Sequence, residues 1–150
     1  NYVRYTDFSL SVNFVFEQGD GNDSVGVYLR GDTNLDHDYR IDINGDSTID
    51  VAKEFLDNNA MPQSFFLYAP SHVAALHPMG QLNTLAVIMQ GPAISVLLNG
   101  TPVCQLVDSD YPSGQLALFA KHGATSSVVS AAFSLFEIDR IQEPETTVTP

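Results

Sequence analysis

Tyr28 and Arg30 in SVGVYLR, and Arg40, Asp42 and Asp50 in YRIDINGDSTID, alternate with apolar residues along their runs. A period of two puts every second side chain on one face of a strand. If the runs are neighbouring strands, these five side chains share the face turned away from the core. A tyrosine ring stacks, a guanidinium donates to hydroxyls or to an acidic group, and a carboxylate accepts from hydroxyls. That set suits a sugar. The same residues would also make a solvated face of cross-strand ion pairs, each worth little.

The three aspartates around Asn44-Gly45 invite a competing reading, a calcium loop. Such a loop wants oxygen ligands at alternating positions, a glycine at the sixth and a bidentate carboxylate at the twelfth. Counted from Asp42, the twelfth residue is Lys53 and the glycine is the fourth. A hairpin fits better. With a three-residue turn over Asn44-Gly45-Asp46, Ile43 faces Ser47 and Ile41 faces Ile49, so Tyr39, Ile41, Ile43, Ile49 and Val51 lie on one side. The same pairing predicts Arg40 opposite Asp50, and Asp42 opposite Thr48, on the outer face.

Other chemistry finds little support. His72 and His77 have the wrong spacing for one face of a helix and no cysteine beside them. With His37 and His122 they read as ordinary loop histidines. Glu17, Glu54 and Glu137 are isolated, whereas glycoside hydrolysis needs two carboxyl groups flanking a bond. No GxSxG elbow occurs. The chain is therefore expected to be no enzyme, with no catalytic residues, no metal ligands and no cofactor.

The scaffold for these groups is written as alternation. FSLSVNFVFE puts Phe8, Leu10, Val12, Phe14 and Phe16 on one face. Strand-like runs follow at SVGVYLR, YRIDI, STIDVA, NTLAVIMQ, AISVLLN, PVCQLV, GQLALFA and SSVVSAAFSLFEI, with a turn or two of helix conceivable around VAKEFLDN. Turn signals separate them at Gln18 to Gly21, Asn44-Gly45, Gln90-Gly91-Pro92, Asn99-Gly100 and Pro112-Ser113-Gly114. Many short strands at regular spacing predict an all-β, antiparallel two-sheet sandwich of roughly ten strands. Residues 53–80 break the rhythm and read as one long irregular insertion, its aromatics more suited to covering an edge or the core than to lining a site. Residues 1–141 form the sandwich, and QEPETTVTP, residues 142–150, reads as a linker to further protein.

The 150 residues suffice for one core, and 44% hydrophobic content excludes wholesale disorder. The balance of 18 acidic to 6 basic residues, net charge −12, argues against nucleic-acid and anionic-lipid partners. Cys104 is the only cysteine, so no internal disulfide can form. No apolar run approaches the length of a membrane span.

The order of pieces, from DFSLSVNF through GVYLR, YRIDI, Asn83-Thr84-Leu85, VLLNG and YPSGQLALFA to FSLFEI, resembles the concanavalin A-like lectin/glucanase superfamily. Within it the chain is most similar to the laminin-G-like and keto-disaccharide hydrolase-like modules of bacteria. The resemblance implies a jelly-roll sandwich with ligands on the concave face or its rim, and a first strand ahead of Tyr2 that this chain lacks. It implies sugar or glycan binding at an extracellular or cell-surface location, in modules joined to surface enzymes or to the outer part of membrane serine/threonine kinases as sensors. Calcium sites in the family use loop aspartates, for which Asp20 and Asp23, or Asp32, Asp36 and Asp38, are the candidates, though neither loop matches a metal motif. The glucanase branch's Glu-x-Asp-x-x-Glu strand motif is absent.

The leading expectation is a non-catalytic recognition module that binds carbohydrate or cell-wall glycan on the face carrying Tyr28, Arg30, Arg40, Asp42 and Asp50. A protein-interaction or sensor module using the aromatics of residues 53–80 is the alternative, and a glycoside-processing enzyme a weaker one.

Overall fold

The computed structural model describes residues 3–124 and 128–142. It contains ten strands in two five-stranded antiparallel sheets. The strands are β1 (Phe8–Gln18), β2 (Ser24–Gly31), β3 (Asp38–Asn44), β4 (Thr48–Leu56), β5 (Pro62–His72), β6 (Leu82–Gln90), β7 (Ala93–Leu98), β8 (Thr101–Val107), β9 (Gln115–Lys121) and β10 (Ser130–Arg140). One sheet runs β10-β1-β6-β7-β8 and the other β5-β4-β3-β2-β9. The all-β jelly-roll sandwich that the alternation implied is therefore present. Most of the linker assigned to residues 142–150 lies outside the described residues.

The alternating runs make the core. From one sheet come Phe8, Leu10, Val12, Phe14 and Phe16, with Leu85, Val87, Met89, Ile94, Val96 and Leu98; from the other come Val25, Val27, Leu29, Tyr39, Ile41, Ile43, Ile49 and Val51. All are buried. Each large apolar side chain moved out of water contributes roughly 1.5–3 kcal/mol, so the two inner faces hold the sheets together.

Two expectations fail. Residues 53–80 are not one irregular insertion, because β4 continues to Leu56 and turns back into β5, an edge strand that pairs Phe66 with Ala52 and Ser64 with Glu54. Register shifts between Ile49 and Val51 and between Val51 and Ala52 break β5's alternation and hid it from a period-two reading. The helical turns conceivable around VAKEFLDN are strand as well.

The β3–β4 hairpin has the predicted faces but a register two residues further along. Ile43 pairs with Ile49, Ile41 with Val51 and Arg40 with Ala52. The turn residues are Gly45, Asp46 and Ser47. Ser47 takes a left-handed φ of 68° and its N–H donates to the Asn44 carbonyl at 3.0 Å. This is the three-residue turn closed by a left-handed residue. Asp46 locks it by accepting from the Thr48 hydroxyl (2.6 Å) and N–H (3.1 Å). Gly45 is needed for a close approach rather than for a positive φ. A Cβ there would lie 1.8 Å from the Asp20 carbonyl oxygen of the β1–β2 loop, and the Gly45 N–H donates to the Asp23 carbonyl at 2.9 Å. Gly45→Ala is thus expected to force the two loops apart and to destabilise the domain by about 1–3 kcal/mol, as overpacking does. Urea unfolding checks it, with an unchanged midpoint contradicting the close approach.

Candidate functional site

The corrected register decides what stands on the outer face of the second sheet. Cross-strand partners on β3 and β4 are Asp42 with Asp50 and Asp38 with Glu54. Arg40 lies between the two pairs. Its Nε donates to both oxygens of Asp42 (2.8 and 2.9 Å), and its Nη1 lies 3.1 Å from Glu54 Oε2. Neighbouring strands shelter this row. Tyr28 on β2 packs its ring on Phe119 of β9 with centroids 4.8 Å apart, and Phe66 of β5 pairs over Ala52. Asp38, Arg40, Asp42 and Asp50 are each 8% exposed or less, although they face away from the core.

Like charges opposite one another repel, so the pairing needs a reason. Both oxygens of Asp38, Oδ1 of Asp50 and Oε1 of Glu54 are buried without a hydrogen-bond partner. Two ionised carboxylates can only accept, so a proton between them satisfies both. Burial, reinforced by Glu54, pushes Asp38 up to about 9, and burial with the Asp42 contact pushes Asp50 up to about 8. Asn44 Nδ2 donates to Asp50 Oδ2 at 2.9 Å, fixing that carboxyl from its other side. Burial, then Glu54, raises the Tyr28 phenol. Each pair therefore holds one proton at neutral pH.

A groove of about 300 Å³ opens over this row, lined by Arg40, Asp42, Asn44 and Asp50 on its floor and by Phe66, Lys121 and His122 along its walls. Four of the five residues expected on this face are brought together: Tyr28, Arg40, Asp42 and Asp50. Arg30 is not among them. Its φ of 51° and the irregularity between Tyr28 and Gly31 turn its side chain out of β2's alternation. The guanidinium is buried at the sandwich's end, where it donates to the carbonyls of Thr6, Gly91 and Tyr111 and meets Asp7 Oδ1 at 3.3 Å. All its described partners are other parts of the chain, and they tie loops together.

Sequence reasoning missed Glu54, Asn44, Phe66 and Lys121 as site residues. It also kept Asp38 only as a loop aspartate. The register expected from the apolar rows put Arg40 opposite Asp50; the true register keeps the same rows inward and opposes acids instead. Phe66, one of the aromatics of residues 53–80 expected to form a separate interaction surface, shares one groove with Arg40. The other loop aspartates bind backbone. Asp23 accepts from the N–H groups of Asp20 and Gly123 at 2.8 Å each, and Asp32 accepts from those of Asp36 and His37 while facing His37 Nδ1 at 2.8 Å. Among the described residues, no group of three or more His, Cys, Asp or Glu is arranged to hold a metal ion.

At the sandwich's end, Lys53 Nζ sits between Asp108 and Asp110 and over the Phe65 and Tyr111 rings, while the Tyr39 hydroxyl donates to Asp108. This seals the inner face where β4 leaves the core.

The sandwich and its sheltered polar face define a concanavalin A-like domain. Residues 2–133 match the 3-keto-alpha-glucoside-1,2-lyase-like domain family, and the chain belongs to it. No curated protein sequence matches. Among solved structures, the carbohydrate-binding module CBM66 from Bacillus subtilis is similar over 91% of this chain and 77% of its own, with TM-score 0.73 and 17% identity. A putative glycosyl hydrolase from Parabacteroides distasonis is similar over 93% and 74%, at 0.66 and 10%. Sheep galectin-11, in complex with glycerol, is similar over 92% and 97%, at 0.57 and 13%. At these identities the likeness is one of fold.

The proton-holding pairs have a consequence for stability. The folded chain keeps protons on Asp38 and Asp50 that the unfolded chain, with ordinary values of 3.8, releases. Folding free energy gained below pH about 4 is then lost as pH rises towards about 8 to 9. Melting temperature should fall across that window, and Asp38→Asn, an uncharged stand-in for the protonated acid, should flatten the fall. A flat wild-type profile would contradict the shared protons.

Proposed function

We propose that the domain is a non-catalytic carbohydrate-recognition module, working at the cell surface within a larger protein. The groove carries this reading. It places fixed donors and acceptors (Arg40, Asp42, Asn44, Asp50) beside the exposed ring of Phe66, the combination of oriented polar groups and an apolar face that a sugar ring requires. The likeness to a carbohydrate-binding module and to a galectin supports it.

A second reading, lyase action on a 3-keto-glucoside, draws on the family's description and on the same pairs. In a 1,2-elimination one carboxylate takes the C2 proton, the C1=C2 double bond forms and the C1–O bond breaks. The pair's own proton then passes to the leaving oxygen, so the pair ends with one proton as it began.

A glycan array probed with and without calcium tests the first reading. Binding to a defined glycan is expected, with Phe66→Ala lowering affinity by about tenfold through loss of ring stacking. A blank array, together with growth of conjugated-enone absorbance when the domain meets a 3-keto-α-glucoside, would move the assignment to the lyase.

A further inference from the structure

Two observations about the groove floor are independent of its likeness to other proteins. First, Asp50 is 3% exposed, its Oδ1 is buried without a hydrogen-bond donor, and Asp42 is its partner across the strand pair. Second, the Asp42 carboxylate is held on its other side by Arg40 Nε, and Arg40 is in turn shared with Glu54. Glu54, Arg40, Asp42, Asp50 and Asn44 thus form one chain of contacts beneath the groove, and the link between Asp42 and Asp50 exists only while a proton is there.

We propose that this proton is part of the binding site: with it in place the floor is assembled and receives an uncharged sugar, and its loss dismantles the floor and releases the ligand. The proposal rests on the carbohydrate reading and adds its regulation. Without the proton, two anions meet across adjacent strands in a sheltered place. Their repulsion separates the carboxyls and draws Asp42 away from Arg40. The choice of an uncharged sugar follows from the charge balance. Two protons among Asp38, Asp42, Asp50 and Glu54 leave two negative charges, which Arg40 and Lys121 offset. Arg40, with Nε and Nη1 already engaged by carboxylates, has no open fork for an acidic sugar.

The groups that bear on Asp50 come from every element around it. They are Arg40 and Asp42 on β3, Glu54 on its own strand, Lys121 at the end of β9 and His122 just after it, with β5 contributing Phe66 and, opposite Thr48, His72. Burial, with the Asp42 contact, is what pushes Asp50 up to about 8.

Calorimetric titration from pH 6 to pH 10 provides the test, with maltotetraose, cellotetraose, laminaritetraose and tetragalacturonate as probes. At least one neutral tetrasaccharide should bind and tetragalacturonate should not. The neutral affinity should fall by about tenfold per pH unit above about 8. Asp50→Asn, whose amide can hold the Asp42 contact at every pH, should lose that slope, while His122→Gln should keep it. A neutral probe bound with unchanged affinity up to pH 10, a slope that survives Asp50→Asn, or preference for tetragalacturonate would each overturn the inference while leaving carbohydrate recognition standing. Failure of all four probes at every pH would overturn both.

Discussion

Between β3 and β4 the backbone pairs Ile43 with Ile49, and that one choice sets both faces of the sheet. Inward, it lines up Ile41 with Val51 and closes the core. Outward, it stacks Asp42 on Asp50 and Asp38 on Glu54, an arrangement that surface electrostatics would reject. The apolar face alone does not choose this register, since a two-residue slip keeps the same side chains inward; the turn fixes it, with Ser47 left-handed and Asp46 accepting from Thr48. The polar face is what remains once the core and the turn have been satisfied, and the groove's chemistry follows from it.

Much of the fold was legible in the amino-acid order because strands with one buried face must alternate. The Phe8 to Phe16 run, the Val25–Leu29 run and the paired isoleucines of the hairpin all declared their inner faces this way. What stayed hidden lies where alternation is broken. β5 carries two register irregularities and exposes Phe65 and Phe66, so it looked like a loop. Arg30 has a left-handed backbone that reverses the side of the sheet it should occupy. Neither break leaves a mark in composition.

The site was legible in part, and for a related reason. Side-chain parity is robust to a two-residue slip, so Tyr28, Arg40, Asp42 and Asp50 were placed on the right face even with the wrong cross-strand partners. Partnership is not robust to it. Glu54 seemed isolated because its partner Asp38 is sixteen residues earlier, and only the true register brings the two together. A search for acids opposite acids in each register that keeps the core intact would have found both pairs.

Arg30 ties together parts of the chain that are distant in sequence. One guanidinium binds the approach to β1 at Thr6 and Asp7, the β6–β7 turn at Gly91 and the β8–β9 connection at Tyr111. None of these connections can open alone without leaving a buried cation short of acceptors. Loops that would ordinarily fray one at a time are bound to a single opening event, so their amide protons should share the slow exchange of the core strands.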